Sequence, residues 1–179
     1  MLAYAHVVEI RLKNSLLSRE KSMSIEEKIV QVLKNKGYTI TTAESCTGGL
    51  LAGRILNVSG ASAVYNEGHI TYSNEAKERL LGVSHDTLER YGAVSEQTAA
   101  EMALGAARVA NANVGLSTTG IAGPGGGTPE KPVGLVYVGC CINGDVTVKE
   151  CRFSGNREEN RNATVEAVLE LLIDELETV

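Results

Sequence analysis

The spacing of hydrophobic positions changes repeatedly along this chain, and most changes fall on a punctuating residue. From Ser24 to Lys36 apolar residues (Ile25, Ile29, Val30, Leu33) recur at helical spacing. Ser24 with Glu27 forms a capping box at the start, and Gly37 suits the left-handed position past the end. The β-branched run at residues 38–43 predicts a strand, and Leu50, Leu51, Ile55 and Leu56 predict a helix to about Asn57. Strand character returns over residues 64–72. Ser73 caps a short helix at 74–81 that Gly82 ends, and Ser84 and Ser95 are further caps, the second opening an Ala-rich helix to about Ala110. A strand at 114–119 enters a glycine-rich loop at 120–132. Strands at 133–142 and 146–153 flank Asn143-Gly144, a two-residue hairpin turn of type I′. Asn156 and Glu159 cap a final amphipathic helix bearing Val165, Val168, Leu169, Leu172, Ile173 and Leu176 on one side. Helices alternating with strands, plus one hairpin, predict a single α/β domain, a three-layer α/β/α sandwich around a mixed sheet.

Residues 1–22 hold no sustained period and end in the polar run Ser18-Arg19-Glu20-Lys21-Ser22. They are expected to be an amino-terminal extension, disordered or preceding an internal start, ahead of a domain at 23–179. Their basic residues follow a short apolar stretch, the reverse of a secretory signal. At 179 residues and 43% hydrophobic content, the chain has enough material for one well-buried core. A net charge of −5, no Trp and a single Phe argue against a nucleic-acid surface. No run approaches the ~20 apolar residues of a membrane span. Cys46, Cys140, Cys141 and Cys151 lack metal-ligand spacing and read as reduced thiols of a cytoplasmic protein. Adjacent residues of a strand point oppositely, so Cys140 and Cys141 belong to different faces. His6, His69 and His85 show no metal-type pairing, and His85 beside Asp86 fits a surface helix start.

Chemistry concentrates at Glu44-Ser45-Cys46-Thr47-Gly48-Gly49, where the first strand turns into a helix. Ser45 there has two readings. It caps the helix, or its exposed hydroxyl beside free backbone N–H groups is a nucleophile. A serine hydroxyl needs a base, and a lysine of lowered pKa can supply one. Lys77 falls near the start of the 74–81 helix, at the positive end of its dipole, where a lysine is locally unfavourable, and partial burial would lower its pKa in the same direction. Its other reading is a solvated lysine paired with Glu75 or Glu78. Tyr72 and Tyr65 are both candidates to assist. Cys46 lies near a helix start that would lower a thiol pKa, although a small buried residue also fits. The loop from Gly120 through Gly123, Gly125 and Gly126 to Thr128 lacks the Gly-Lys-Ser/Thr ending of a Walker loop and the dinucleotide spacing. Arg157 and Arg161, at i,i+4 near the start of the last helix, suit a phosphate or pairing with Glu158 or Glu166.

Ala43-Glu44-Ser45-Cys46-Thr47-Gly48-Gly49, Tyr72-Ser73-Asn74-Glu75-Ala76-Lys77, Gly92-Ala93-Val94-Ser95 and the run from Thr119 to Gly134 resemble the carboxy-terminal domain of the CinA family. The likeness extends in order from about residue 24 to the end. Stand-alone proteins of that kind are nicotinamide-nucleotide amidases, which convert nicotinamide mononucleotide to nicotinate mononucleotide and ammonia. The resemblance implies an α/β/α fold, catalysis without metal or cofactor, and a homo-oligomer, in the first place a dimer. It implies a nucleophile at Ser45, a lysine base at Lys77 and an assisting tyrosine at Tyr72. Glu44, Thr47, Gly48, Gly49, Thr119, Gly120, Gly123, Gly125, Gly126, Arg157 and Arg161 are then expected to line the substrate site. Thr119 would donate a hydrogen bond, and backbone N–H groups of Thr47-Gly48-Gly49 would hold the oxyanion. Longer CinA proteins carry an amino-terminal domain that residues 1–22 are too short to hold, so its second activity is not expected here. Many relatives have Asp where this chain has Asn156, and both residues cap a helix. Two rivals remain: a binding module linked to competence or DNA damage, and a cysteine amidase using Cys46.

Overall fold

A computed structural model describes residues 23–178, and the expected extension at 1–22 lies outside them. In chain order the elements are α1 (Ile25–Lys36), β1 (Ile40–Glu44), α2 (Leu50–Leu56), β2 (Tyr65–Ile70), α3 (His85–Tyr91), α4 (Glu96–Val109), β3 (Val114–Gly120), β4 (Leu135–Ile142), β5 (Asp145–Arg152) and α5 (Arg157–Leu176). Between β2 and α3, one helical turn at Asn74–Ala76 widens into a π-helical turn at Lys77–Leu81.

Local chemistry sets most boundaries. Ser24 Oγ accepts the Glu27 N–H at 3.3 Å while Glu27 returns a carboxylate oxygen to the Ser24 N–H at 2.8 Å. Ser73 and Ser95 cap their helices through side-chain bonds to Ala76 and Thr98. Asn143 and Gly144 both take positive φ, 51° and 100°, as a type I′ hairpin requires. Ser84 departs from expectation. It stands at the cap position, but its side chain caps nothing, and a Glu101 carboxylate oxygen accepts its N–H at 2.7 Å. Strand β2 also stops earlier than expected, because the chain turns after Ile70 and presents the Thr71 and Tyr72 carbonyls to Lys77.

The sheet order is β2-β1-β3-β4-β5. β1 runs parallel to both neighbours, whereas β3, β4 and β5 are antiparallel, so the sheet is mixed as predicted. Helices α1, α2 and α5 cover one face, packing Leu33, Ile55 and Leu172 on Ile40, Leu116 and Cys140. Each such fully buried aliphatic side chain contributes about 1.5–3 kcal/mol of transfer free energy. The 74–81 segment, α3 and α4 cover the other face through Leu81, Leu88 and Met102, and Cys141 packs there against Ala103 and Ala107. The two adjacent cysteines thus serve opposite faces. Helix α4 approaches closely because it is rich in alanine and Gly115 stands under it. A Cβ at Gly115 would collide with the Ala103 carbonyl oxygen.

Three parallel strands place their carboxyl ends on one edge of the sheet. In open α/β sheets, that edge is where ligand crevices form. Ser45 follows β1 in the middle, the turn to Lys77 follows β2 on one side, and Thr119 and Gly120 end β3 on the other.

Candidate active site

Ser45 is held at the corner by its own N–H, which donates to the Thr118 carbonyl at 2.9 Å. Its side chain caps no helix. The N-cap of α2 is Gly49, at φ +99°, and the capping group is Glu44. One Glu44 carboxylate oxygen accepts from the Thr47 hydroxyl at 2.6 Å, the Gly49 N–H at 2.9 Å and the Leu51 N–H at 3.0 Å. The other accepts the Ala52 N–H at 2.8 Å. A carboxylate at a helix start also meets the positive end of the dipole. Glu44, expected at the substrate, is therefore spent inside the fold, as is the Thr47 hydroxyl, which also contacts the Thr118 hydroxyl at 2.7 Å. Capping by Glu44 leaves Ser45 free.

Lys77 reaches that serine from the π-helical turn. Its Nζ lies 3.2 Å from Ser45 Oγ, 2.8 Å from the Thr71 carbonyl and 3.5 Å from the Tyr72 carbonyl. The side chain is 1% exposed, and among the described residues it has no carboxylate partner. Burial disfavours the ammonium and lowers the Lys77 pKa to about 8, outweighing the smaller opposing effect of the Glu75 charge. The solvated reading of Lys77 fails on this burial. Desolvation by burial is the leading cause of the shift.

Cys46 is the small buried residue that one of its two readings expected, and the lowered thiol of the other is not found. Burial pushes its thiol up to about 11, with the Glu44 charge adding to the shift, so it is protonated at neutral pH. That removes the basis for a thiolate nucleophile.

A cavity of about 210 Å³ opens on this pair, lined by Ser45, Tyr72, Lys77, Val94, Thr119 and Arg157 among others. Tyr72 is 65% exposed at its rim, whereas Tyr65 is buried with its hydroxyl 2.8 Å from Thr42 Oγ1. Thr119 borders the cavity, but its hydroxyl donates to the Ala93 carbonyl at 2.6 Å and is not a free donor. Ala122 and Arg157 also line a larger cavity of about 780 Å³, with Leu50, Pro124, Val133, Asn156 and Arg161, so the two cavities adjoin at these residues. Gly120 is in the smaller wall, and the Gly123 carbonyl accepts from Arg157 Nη1 at 2.8 Å. Gly125 and Gly126 line neither cavity and are exposed.

The start of α5 is less open to an anion than its sequence promised. Asn156 Oδ1 accepts the Glu158 and Glu159 N–H groups, and Glu159 accepts the Asn156 N–H. Arg161 pairs with neither Glu158 nor Glu166. Its Nε donates to the Cys46 carbonyl at 3.0 Å and its Nη2 to the Thr47 carbonyl at 2.6 Å. Sequence reasoning gave no role to the Thr71 carbonyl, to Ala93 and Val94 in the wall, or to Lys131, whose Nζ ties the glycine loop to the Tyr91 and Val94 carbonyls. Backbone groups carry no residue-type signal, although Ala93 and Val94 lay within a recognised motif.

The model of the CinA C-terminal domain matches residues 22–176. A protein of Clostridium novyi, named for competence-damage induction, is 58% identical over 154 residues, covering 86% of this chain and 37% of that protein. The competence/damage inducible protein CihA from Agrobacterium tumefaciens is 47% identical with a TM-score of 0.82, over 86% of this chain and 93% of that one. A CinA superfamily protein from Klebsiella pneumoniae is 33% identical with a TM-score of 0.83, over 87% and 97% of the two chains. This chain belongs to the CinA family and carries its carboxy-terminal domain. It spans just over a third of the length of the curated relatives it matches.

Proposed function

We propose that this chain is an amidase acting on nicotinamide mononucleotide through a Ser45–Lys77 acyl-enzyme. One observation carries the reading: a buried lysine amine of lowered pKa, with no carboxylate partner, lies 3.2 Å from a serine hydroxyl in a cleft. When neutral, the amine has two N–H groups for the Thr71 and Tyr72 carbonyls. Its lone pair is then left for the Ser45 hydroxyl.

Lys77 takes the Ser45 proton as Oγ attacks the carboxamide carbon. The C–N bond then breaks, ammonia leaves with the proton returned from Lys77, and Ser45 carries the nicotinoyl group as an ester. Water repeats the sequence, giving its proton to Lys77 and releasing nicotinate mononucleotide while Ser45 regains its hydrogen. Tyr72, at the cavity rim, is placed to help the proton reach departing ammonia. The smaller cavity takes the pyridine ring and the larger takes ribose and phosphate. Arg157, lining both, supplies the charge for the phosphate. The working form is a homo-oligomer, in the first place a dimer.

The test is ammonia release from nicotinamide mononucleotide, comparing the natural protein with Ser45→Ala. The proposal expects turnover that falls by at least about a thousandfold in the variant. Binding without turnover in the folded natural protein would replace the amidase with a binding module.

A further inference from the structure

Four successive carbonyls between α3 and α4 are each taken by a side chain. The Gly92 carbonyl accepts from the Ser95 hydroxyl at 2.9 Å and the Thr98 hydroxyl at 2.8 Å, and the Ala93 carbonyl accepts from the Thr119 hydroxyl. The outer two, of Tyr91 and Val94, both accept from Lys131 Nζ, at 2.6 Å and 2.8 Å. Lys131 is presented by a turn of its own. Thr128 Oγ1 accepts the Lys131 N–H at 3.0 Å, and the Lys131 carbonyl accepts the Thr128 N–H at 2.8 Å. Gly92 makes room for the ammonium, since a Cβ there would stand 3.2 Å from Nζ. Lys131 has no carboxylate partner among the described residues, and it lines neither cavity. What it joins does line them. Ala93 and Val94 share the smaller cavity with Ser45 and Lys77, and the glycine loop enters the same wall through Gly120 and Ala122. Pro124 and Val133 carry that loop into the wall of the larger one.

We propose that Lys131 is a positioning residue for substrate binding, a clasp that fastens the glycine loop to the 91–94 segment and so fixes the shape of the cavity wall. Hydrogen bonds from an ammonium are stronger than those between neutral groups, and two from one amine tie the segment at both ends. The Ser45–Lys77 pair is held separately, by the Thr118 carbonyl on the Ser45 N–H and by the Thr71 carbonyl on the amine. Loosening the clasp therefore moves the wall and leaves the reacting pair in place. The inference rests on the amidase reading of the site, so its test includes a readout that needs no substrate.

The natural protein, Lys131→Met and Lys131→Arg are compared by steady-state ammonia release from nicotinamide mononucleotide and by amide hydrogen exchange followed by NMR. Lys131→Met is expected to raise KM about 10-fold with kcat within about twofold of the natural value. Lys131→Arg, which keeps its donors, recovers most of the KM. The amides of Gly92, Thr128 and Gly134, each bonded to a backbone carbonyl, are expected to exchange about 10-fold faster in Lys131→Met. Those of Gly49 and Ala52, bonded to Glu44, keep the natural rate. An unchanged KM in Lys131→Met overturns the proposal, as does a loss confined to kcat. Faster exchange at Gly49 and Ala52 also overturns it, because the effect is then a general loosening of the fold. So does faster exchange at Thr128 with Gly92 unmoved, which shows a loop that is not fastened to the 91–94 segment. A natural protein that releases no ammonia removes the amidase reading, and exchange at Gly92 against Gly49 then decides the clasp by itself.

Discussion

The corner at residues 44–49 and the glycine loop at 120–134 both border the cleft, yet they are built in opposite ways. In the corner, Glu44, Ser45, Cys46 and Thr47 are all buried, and the turn is tied by a carboxylate on one side and a guanidinium on the other. In the loop, residues 124–130 are exposed, and long side chains from elsewhere, such as Arg157 and Asn160, hold only its edges. Reacting groups need fixed geometry, whereas a binding wall tolerates adjustment. Under the proposed function, chemistry falls on the strand end and recognition on the edges of the loop.

Removing the base is expected to have the largest effect. Lys77→Met should reduce ammonia release by about a thousandfold or more, because the serine loses its proton acceptor. The same change sharpens the cost of the rigid corner. Burial lowers the folded pKa of Lys77 from its ordinary 10.5 to about 8, so the unfolded chain holds that proton more tightly. Below pH 8 the natural fold therefore bears a penalty of about 3 kcal/mol, which disappears as pH rises from about 8 to 10.5. Urea unfolding should show the natural protein gaining stability relative to Lys77→Met across that window. A constant difference would deny the buried-ammonium penalty.

Two glycine replacements probe the contrast at smaller magnitude. Gly49, at φ +99° in the corner, should lose about 1–2 kcal/mol on change to alanine. Gly125 in the loop has open space where a Cβ would go, so Gly125→Ala should stay within about 0.5 kcal/mol. Equal melting temperatures for the two variants would contradict the division between rigid and adjustable regions.

The layers were legible in the sequence because Ser24, Gly37, Ser73, Asn143-Gly144 and Asn156 act locally, through caps and turns. Ser45 and Lys77 were readable as a candidate pair, with partial burial as one way to lower the amine's pKa, but the extent of that burial was not. It depends on how the 77–81 turn packs on α4 through Leu81, Met102 and Ala106, and on the Thr71 carbonyl facing back toward the amine. Glu44 and Thr119 were expected at the substrate from the family resemblance, and Arg161 from its spacing with Arg157. Each is turned inward to satisfy backbone groups, a demand that no side-chain pattern displays.

The central claim, that neutral Lys77 activates Ser45, is tested most directly by the pH dependence of kcat/KM for ammonia release from nicotinamide mononucleotide. The structure predicts a tenfold rise per pH unit on the acid side, levelling off near the Lys77 pKa of about 8. A profile that stays flat from pH 6 to 9 (about three units across that pKa) would contradict a lysine base.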